Sequence, residues 1–89
     1  ELKIPVLEAE KFSLMRSLVD AAAFDDGMVN LIDGLRVEFP QGWGLIRASN
    51  TSPYLTVRFE AENDAEMIAI QGRFRDLLLK VDENMVLPF

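Results

Sequence analysis

The stretch LRVEFPQGWGLIRASNTSPYLTVRFEA, residues 35–61, has the pattern that decides the fold of this 89-residue chain. Residues 35–39 and 54–61 alternate between apolar and polar side chains, which is typical of strands with one buried face. Pro40-Gln41-Gly42 predicts a turn, and residues 43–48 predict a strand between the other two. The stretch therefore predicts three consecutive strands of a mainly antiparallel sheet.

The residues before this stretch predict two further strands and a helix. Residues 3–7 are interrupted by Pro5, which favours an edge strand because proline has no N–H to donate to a neighbour. Residues 11–24 predict a helix, because apolar side chains recur at spacings of three and four. These side chains are Phe12, Met15, Val19 and Ala22, with Leu14 and Leu18 widening the stripe. Residues 29–32 predict a strand, followed by Asp33-Gly34, a two-residue hairpin signal.

The residues after the stretch predict a second helix at 63–81. Asn63 followed by Glu66 resembles a capping box. The apolar stripe of this helix consists of Met67, Ile70, Phe74, Leu77, Leu78 and Val81. The order β-α-β-β-β-β-α, with one apolar face on each strand, predicts a two-layer α+β sandwich. Both helices cover one face of the sheet, and the other face points towards solvent or a partner.

Composition limits the function classes. A chain of 89 residues predicts a single domain, 1–89. The sequence has no cysteine and no histidine, which excludes disulfides, zinc–thiolate sites and histidine-based acid–base catalysis. The net charge of −6 argues against nucleic-acid and anionic-membrane partners. No run resembles a signal peptide or a membrane span, so we expect a cytoplasmic location.

The loop Arg47-Ala48-Ser49-Asn50-Thr51-Ser52-Pro53 carries side chains suited to binding an anion. Arg47 offers a planar fork of donors that matches phosphate oxygens. The hydroxyls of Ser49 and Thr51 can donate, and Asn50 donates through its amide and tolerates a left-handed backbone. Successive backbone N–H groups in a tight turn can form an anion nest. The same composition also suits an ordinary connecting loop, so composition alone leaves both interpretations open.

The longer motif running from Gly42 to Pro53 resembles the signature of the last domain of the α-D-phosphohexomutases, Arg-x-Ser-(Asn/Gly)-Thr-x-Pro. The hairpin Asp33-Gly34-Leu35-Arg36-Val37 and the strand Arg58-Phe59-Glu60-Ala61 are similar to that family as well, so the resemblance covers nearly the whole chain. The bacterial phosphomannomutase/phosphoglucomutase branch fits best. The resemblance implies a TATA-box-binding-protein-like arrangement of the predicted sheet and helices.

The resemblance also implies a function. Enzymes of this family have four domains around a cleft, use magnesium and a phosphoserine in the earlier domains, and pass through a bisphosphorylated sugar. The last domain holds the phosphate already on the sugar, and the matching positions here are Arg47, Ser49, Asn50 and Thr51. The family often has Glu where this chain has Ser52, so Ser52 is given no role. We therefore expect a phosphosugar and the other domains as partners, and neither catalysis nor a cofactor in this domain alone.

A different class of function is compatible with the same pattern. The alternative is a free-standing interaction module whose open sheet face, carrying Thr56 and Arg58, binds a protein. Trp43, between two glycines, is interpreted as a packing residue, with sugar stacking as the alternative. Asp25-Asp26 and the acidic residues around Asn63 are interpreted as solvated helix-end charges rather than a metal site.

Overall fold

The computed structural model describes all 89 residues and contains one five-stranded sheet. Its strands are β1 (Leu2–Pro5), β2 (Met28–Asn30), β3 (Leu35–Phe39), β4 (Gly42–Ala48) and β5 (Tyr54–Ala61). Its helices are α1 (Lys11–Ala21), preceded by a 3-10 turn at Glu8–Glu10, and α2 (Asp64–Val81). The strand order is β1-β5-β4-β3-β2, and every neighbouring pair is antiparallel.

The core lies between one face of this sheet and both helices. Ile46 in the central strand β4 is paired with Leu35 on one side and Val57 on the other, and all three are fully buried. The whole core comprises Ile4, Met15, Leu18, Leu35, Val37, Ile46, Leu55, Val57, Ile70, Phe74, Leu77 and Leu78. Each such side chain stabilises the fold by about 1.5–3 kcal/mol through burial. The predicted two-layer α+β sandwich is confirmed.

A side chain of helix α2 packs directly against Gly44 in β4. A Cβ atom at this position would lie 2.5 Å from Cε1 of Phe74, so no larger residue fits without moving the ring. The Phe74 ring also packs edge-on against Phe59, with 5.4 Å between centroids. The glycine in β4 therefore makes room for the largest apolar side chain that α2 contributes.

The edge strands differ from their predicted bounds. β1 covers Leu2–Pro5 and pairs only with β5, which confirms the edge position predicted from Pro5. β2 covers Met28–Asn30, and residues 31–34 separate it from β3, so the predicted two-residue hairpin is wrong. Within this longer connection, the Asn30 side chain accepts the N–H of Ile32 at 2.9 Å.

Helix α1 departs from its predicted end and face, whereas α2 agrees with its prediction. α1 ends at Ala21, three residues early, because Ala22 has an extended backbone. At its start, Lys11 is fully buried whereas Phe12 is 58% exposed, so the predicted apolar face is wrong there. In α2 the Asn63 side chain accepts the N–H of Glu66 at 2.9 Å, which confirms the predicted N-terminal cap. Neither helix is long and apolar enough to cross a membrane.

The C-terminal residues after α2 have no regular structure but contribute to packing. Met85, Leu87 and Phe89 pack against the core cluster. The Phe89 ring lies 5.0 Å from that of Phe59, and the Arg75 Nε donates to the Phe89 carbonyl at 3.2 Å. These residues therefore close the open end of the layer between α2 and the sheet.

Candidate functional site

The four residues predicted to bind phosphate lie together at one end of the sheet. Arg47 is near the end of β4, and Ser49, Asn50 and Thr51 follow in the loop before β5. All four line one open depression of about 360 Å³. The remaining lining residues are Glu1, Asp33, Ala48, Tyr54 and Thr56. The depression thus combines the Arg47 guanidinium and several short polar side chains with two carboxylates, those of Glu1 and Asp33.

Ser49 organises the loop through its hydroxyl. Its Oγ accepts the backbone N–H groups of Thr51 at 3.4 Å and of Ser52 at 3.2 Å. Its own N–H donates to the Tyr54 carbonyl at 3.0 Å. The Ser49 hydroxyl also lies beside the Tyr54 phenol and contributes to the lowering of its pKa. Ser49 therefore shapes the loop and also places a hydroxyl group at the depression.

The backbone of the loop differs from the predicted anion nest. The N–H groups of Thr51 and Ser52 point at Ser49 Oγ, so they are not directed at a ligand. The N–H of Asn50 is the one in this turn that has no partner within the chain. The left-handed backbone considered for Asn50 is also wrong, since Gly34 is the sole residue with positive φ.

Arg47 is held by a carboxylate from another loop. Its Nη1 lies 3.1 Å from Oδ2 of Asp33, in the connection between β2 and β3. The guanidinium has five N–H donors. Asp33 is the one acceptor of the chain with which they form a hydrogen bond. The other N–H groups of the guanidinium are therefore free to bond a ligand. The sequence assigned Asp33 to a turn only, and nothing in its spacing indicated this ion pair.

The loop is also fixed from behind, on the side facing α1. The fully buried Lys11 donates from Nζ to the Ser52 carbonyl at 3.1 Å and to Glu8 Oε1 at 3.0 Å. The N–H of Val6 donates to the Pro53 carbonyl at 3.0 Å. No pattern in the sequence predicted these supports, because a lysine at the start of a helix is normally solvated.

Two residues of β5 complete the depression. The hydroxyl of Thr56 donates to the Arg47 carbonyl at 3.4 Å, and Thr56 is buried although it lies on the predicted open face. The pKa of Tyr54 is lowered from its usual value of 10.0. The neighbouring Ser52 hydroxyl is the main cause, and the Lys3 ammonium adds to it. Positive and donor groups thus favour negative charge at this end of the sheet.

On the open sheet face away from the loop, arginine side chains lie over the ring of Trp43. The Arg36 guanidinium lies 4.1 Å from the centre of the Trp43 ring, and that of Arg58 lies 6.0 Å from it. Arg36 is also paired with Glu38 at 3.3 Å. Trp43 therefore packs beneath arginine side chains on this face. Elsewhere in the chain, no group of three or more carboxylates converges on a point where a metal ion would bind.

The sequence of this chain is similar to the C-terminal part of known phosphohexose mutases. The family described as phosphoglucomutase/phosphomannomutase, C-terminal domain, matches residues 1–77. A phosphomannomutase/phosphoglucomutase from Pseudomonas syringae pv. tomato is 48% identical over all 89 residues, which correspond to 19% of its length. A phosphoglucomutase from Neisseria gonorrhoeae is 44% identical over 80 residues, 88% of this chain and 17% of that protein.

A solved structure agrees with the fold. A phosphoglucomutase/phosphomannomutase family protein from Burkholderia thailandensis superimposes with a TM-score of 0.86 at 40% sequence identity. The match covers 100% of this chain and 19% of that one. The chain thus spans about a fifth of the length of the relatives it matches.

Proposed function

This chain belongs to the phosphoglucomutase/phosphomannomutase family as its C-terminal domain, and on that premise we propose that its β4–β5 loop binds the phosphate group of a phosphosugar. Arg47, Ser49, Asn50 and Thr51 are the binding residues. The observation that supports this assignment is their position around one depression at the end of the sheet.

The donors around the depression suit a phosphate rather than a neutral ligand. Arg47 supplies charge and a planar set of N–H groups that pair with two oxygens at once. Ser49 adds a hydroxyl at the depression, and Asn50 adds a backbone N–H that has no partner within the chain. Thr51 adds a second hydroxyl. A tetrahedral dianion needs several donors converging from one side, and this loop provides them.

We further propose that residues 1–89 are one domain of a four-domain protein that interconverts hexose 1-phosphates and 6-phosphates through a bisphosphorylated sugar. In this proposal, magnesium and the phosphoserine belong to the other domains. This chain then supplies binding energy at the phosphate that does not react. Such remote binding orients the reacting end of the substrate.

The chain alone is expected to bind but not to catalyse. An affinity for glucose 1-phosphate in the millimolar range, about 4 kcal/mol, is reasonable for an open site that holds one phosphate. The alternative, a free-standing interaction module, has no specific support, because the largest apolar side chain on the open face, Trp43, is covered by Arg36.

A titration with glucose 1-phosphate and with inorganic phosphate, followed by backbone amide chemical shifts, tests the proposal. The amides of Ser49, Asn50 and Thr51 are expected to shift with both ligands. Arg47→Ala should weaken binding by about tenfold, the loss of one charge-assisted interaction.

Arg36→Ala is the matched control, because it removes an arginine of the same sheet face that is also paired with a carboxylate. It should leave the affinity for phosphate unchanged. Loop amides that do not respond at high ligand concentration, or equal weakening by Arg36→Ala and Arg47→Ala, would show that the site is assigned wrongly.

A further inference from the structure

Lys11 is the one lysine of the chain that is completely buried. It lies at the first position of α1, where solvent exposure is normally available to a charged side chain. Its Nζ bonds two groups, the Glu8 carboxylate at 3.0 Å and the Ser52 carbonyl at 3.1 Å. The second contact joins residues 41 positions apart and connects α1 to the loop between β4 and β5.

Ser52 is consequently held on both sides. Its carbonyl accepts from Lys11 Nζ and from the Tyr54 N–H at 2.9 Å. Its N–H donates to Ser49 Oγ at 3.2 Å. The position of Ser52 therefore helps to set where the Ser49 hydroxyl lies.

We propose that Lys11 is a positioning residue for the phosphate-binding loop. It fixes Ser52, and through Ser52 the Ser49 hydroxyl, in the arrangement that meets a phosphate. This inference rests on the proposed function and extends it to a residue outside the motif. The buried ammonium also places a positive charge beneath the loop, in surroundings where solvent screens it little.

Stability alone does not account for a lysine at this position. Removal of the Lys11 ammonium leaves no buried group unpaired, because Glu8 is 63% exposed and the Ser52 carbonyl still accepts the Tyr54 N–H. Methionine matches the unbranched stem of lysine and adapts to irregular space. A lysine that only supported the core would therefore be replaceable by methionine, whereas a lysine that orders the loop would not.

The test compares Lys11→Met with the unchanged 89-residue chain. Glucose 1-phosphate and inorganic phosphate should bind about fivefold more weakly to the variant, because a charge-assisted hydrogen bond that orders the loop is lost. The thermal midpoint should be equal or higher. Hydrogen exchange at the N–H groups of Thr51 and Ser52, which bond Ser49 Oγ, should become faster.

Glu8→Gln is the control, since it removes the exposed partner of the ion pair and leaves the bond from Lys11 to Ser52. This variant should bind phosphate as tightly as the unchanged chain, and hydrogen exchange at the Thr51 and Ser52 N–H groups should stay slow. If Lys11→Met does not fold, Lys11→Leu provides the comparison, because it also removes the donor to the Ser52 carbonyl. A folded variant at this position that binds phosphate as tightly as the unchanged chain overturns the inference.

The outcomes also separate this inference from the proposed function. If Arg47→Ala leaves phosphate binding unchanged, the site itself is assigned wrongly. If Arg47→Ala weakens phosphate binding and Lys11→Met does not, the phosphate site is assigned correctly and Lys11 does not position the loop.

Discussion

The guanidinium of Arg47 lies 3.1 Å from the carboxylate of Asp33, which is 14 residues earlier in the chain and belongs to the connection between β2 and β3. The two side chains are 47% and 72% exposed. A pair this exposed contributes at most about 1 kcal/mol to stability. Its effect on binding matters more, because Asp33 places a negative charge at the edge of the depression and occupies one donor of Arg47.

Asp33→Asn is therefore expected to strengthen phosphate binding. Removal of one like charge near a dianion should raise the affinity about threefold at low salt, and the gain should fade as ionic strength increases. Asp26→Asn is the matched control, since it removes an equal charge that is also paired with an arginine, Arg73, outside the depression. Titrations at two salt concentrations measure both. Weaker binding by Asp33→Asn would mean that Asp33 orients Arg47 rather than competing for it.

Tyr54 provides a spectroscopic measure of the same site, because it is the one tyrosine of the chain. Its phenol should ionise below pH 10.0, since the Ser52 hydroxyl and the Lys3 ammonium lower its pKa. Lys3→Met should raise the midpoint. Saturating phosphate should raise it too, because an adjacent anion disfavours the phenolate. Ultraviolet absorbance during a pH titration records each midpoint. A midpoint that phosphate leaves unchanged would place the ligand away from Tyr54.

The sequence predicted β3 and β5 with the bounds that the structure has. Each of these strands buries one face against the helices, so its side chains alternate between apolar and polar. β2 has three exposed residues and no such contrast, so its position was predicted less well. Strands that bury one face were thus predicted more accurately than the exposed strand β2.

The site was predictable only where it is contiguous in the chain. Arg47, Ser49, Asn50 and Thr51 lie within five positions and form a motif. Asp33 and Lys11 reach the same loop from 14 and 41 positions away, through the register of β3 on β4 and the packing of α1. Such contacts depend on tertiary geometry, and no period or local spacing in the sequence encodes them.

Gly34 and Gly72 are expected to respond oppositely to alanine. Gly34 has φ of 108°, and a Cβ there would lie 2.4 Å from the Ile46 carbonyl oxygen. Gly34→Ala should therefore destabilise the chain by roughly 2–4 kcal/mol, through backbone strain and overpacking. Gly72, within α2, has no atom within 4 Å of such a Cβ, so Gly72→Ala should stabilise by about 0.5–1 kcal/mol. Urea unfolding measures both, and a Gly34→Ala variant as stable as the original chain would contradict the strained turn.

The ion pair between Asp26 and Arg73 should make stability depend on pH in the acid range. Arg73 lies across the Phe39 ring and bonds Asp26 at 2.6 Å, which lowers the pKa of Asp26 below its usual 3.8. Because this pKa is lower in the folded than in the unfolded chain, the stabilisation is present above pH 3.8 and is lost as pH falls through the folded value. Thermal unfolding of Asp26→Asn should therefore differ most from that of the unchanged chain near neutral pH, and the difference should shrink towards pH 2. A difference in unfolding temperature that stays constant across this range would show that protonation of Asp26 does not affect the stability of the chain.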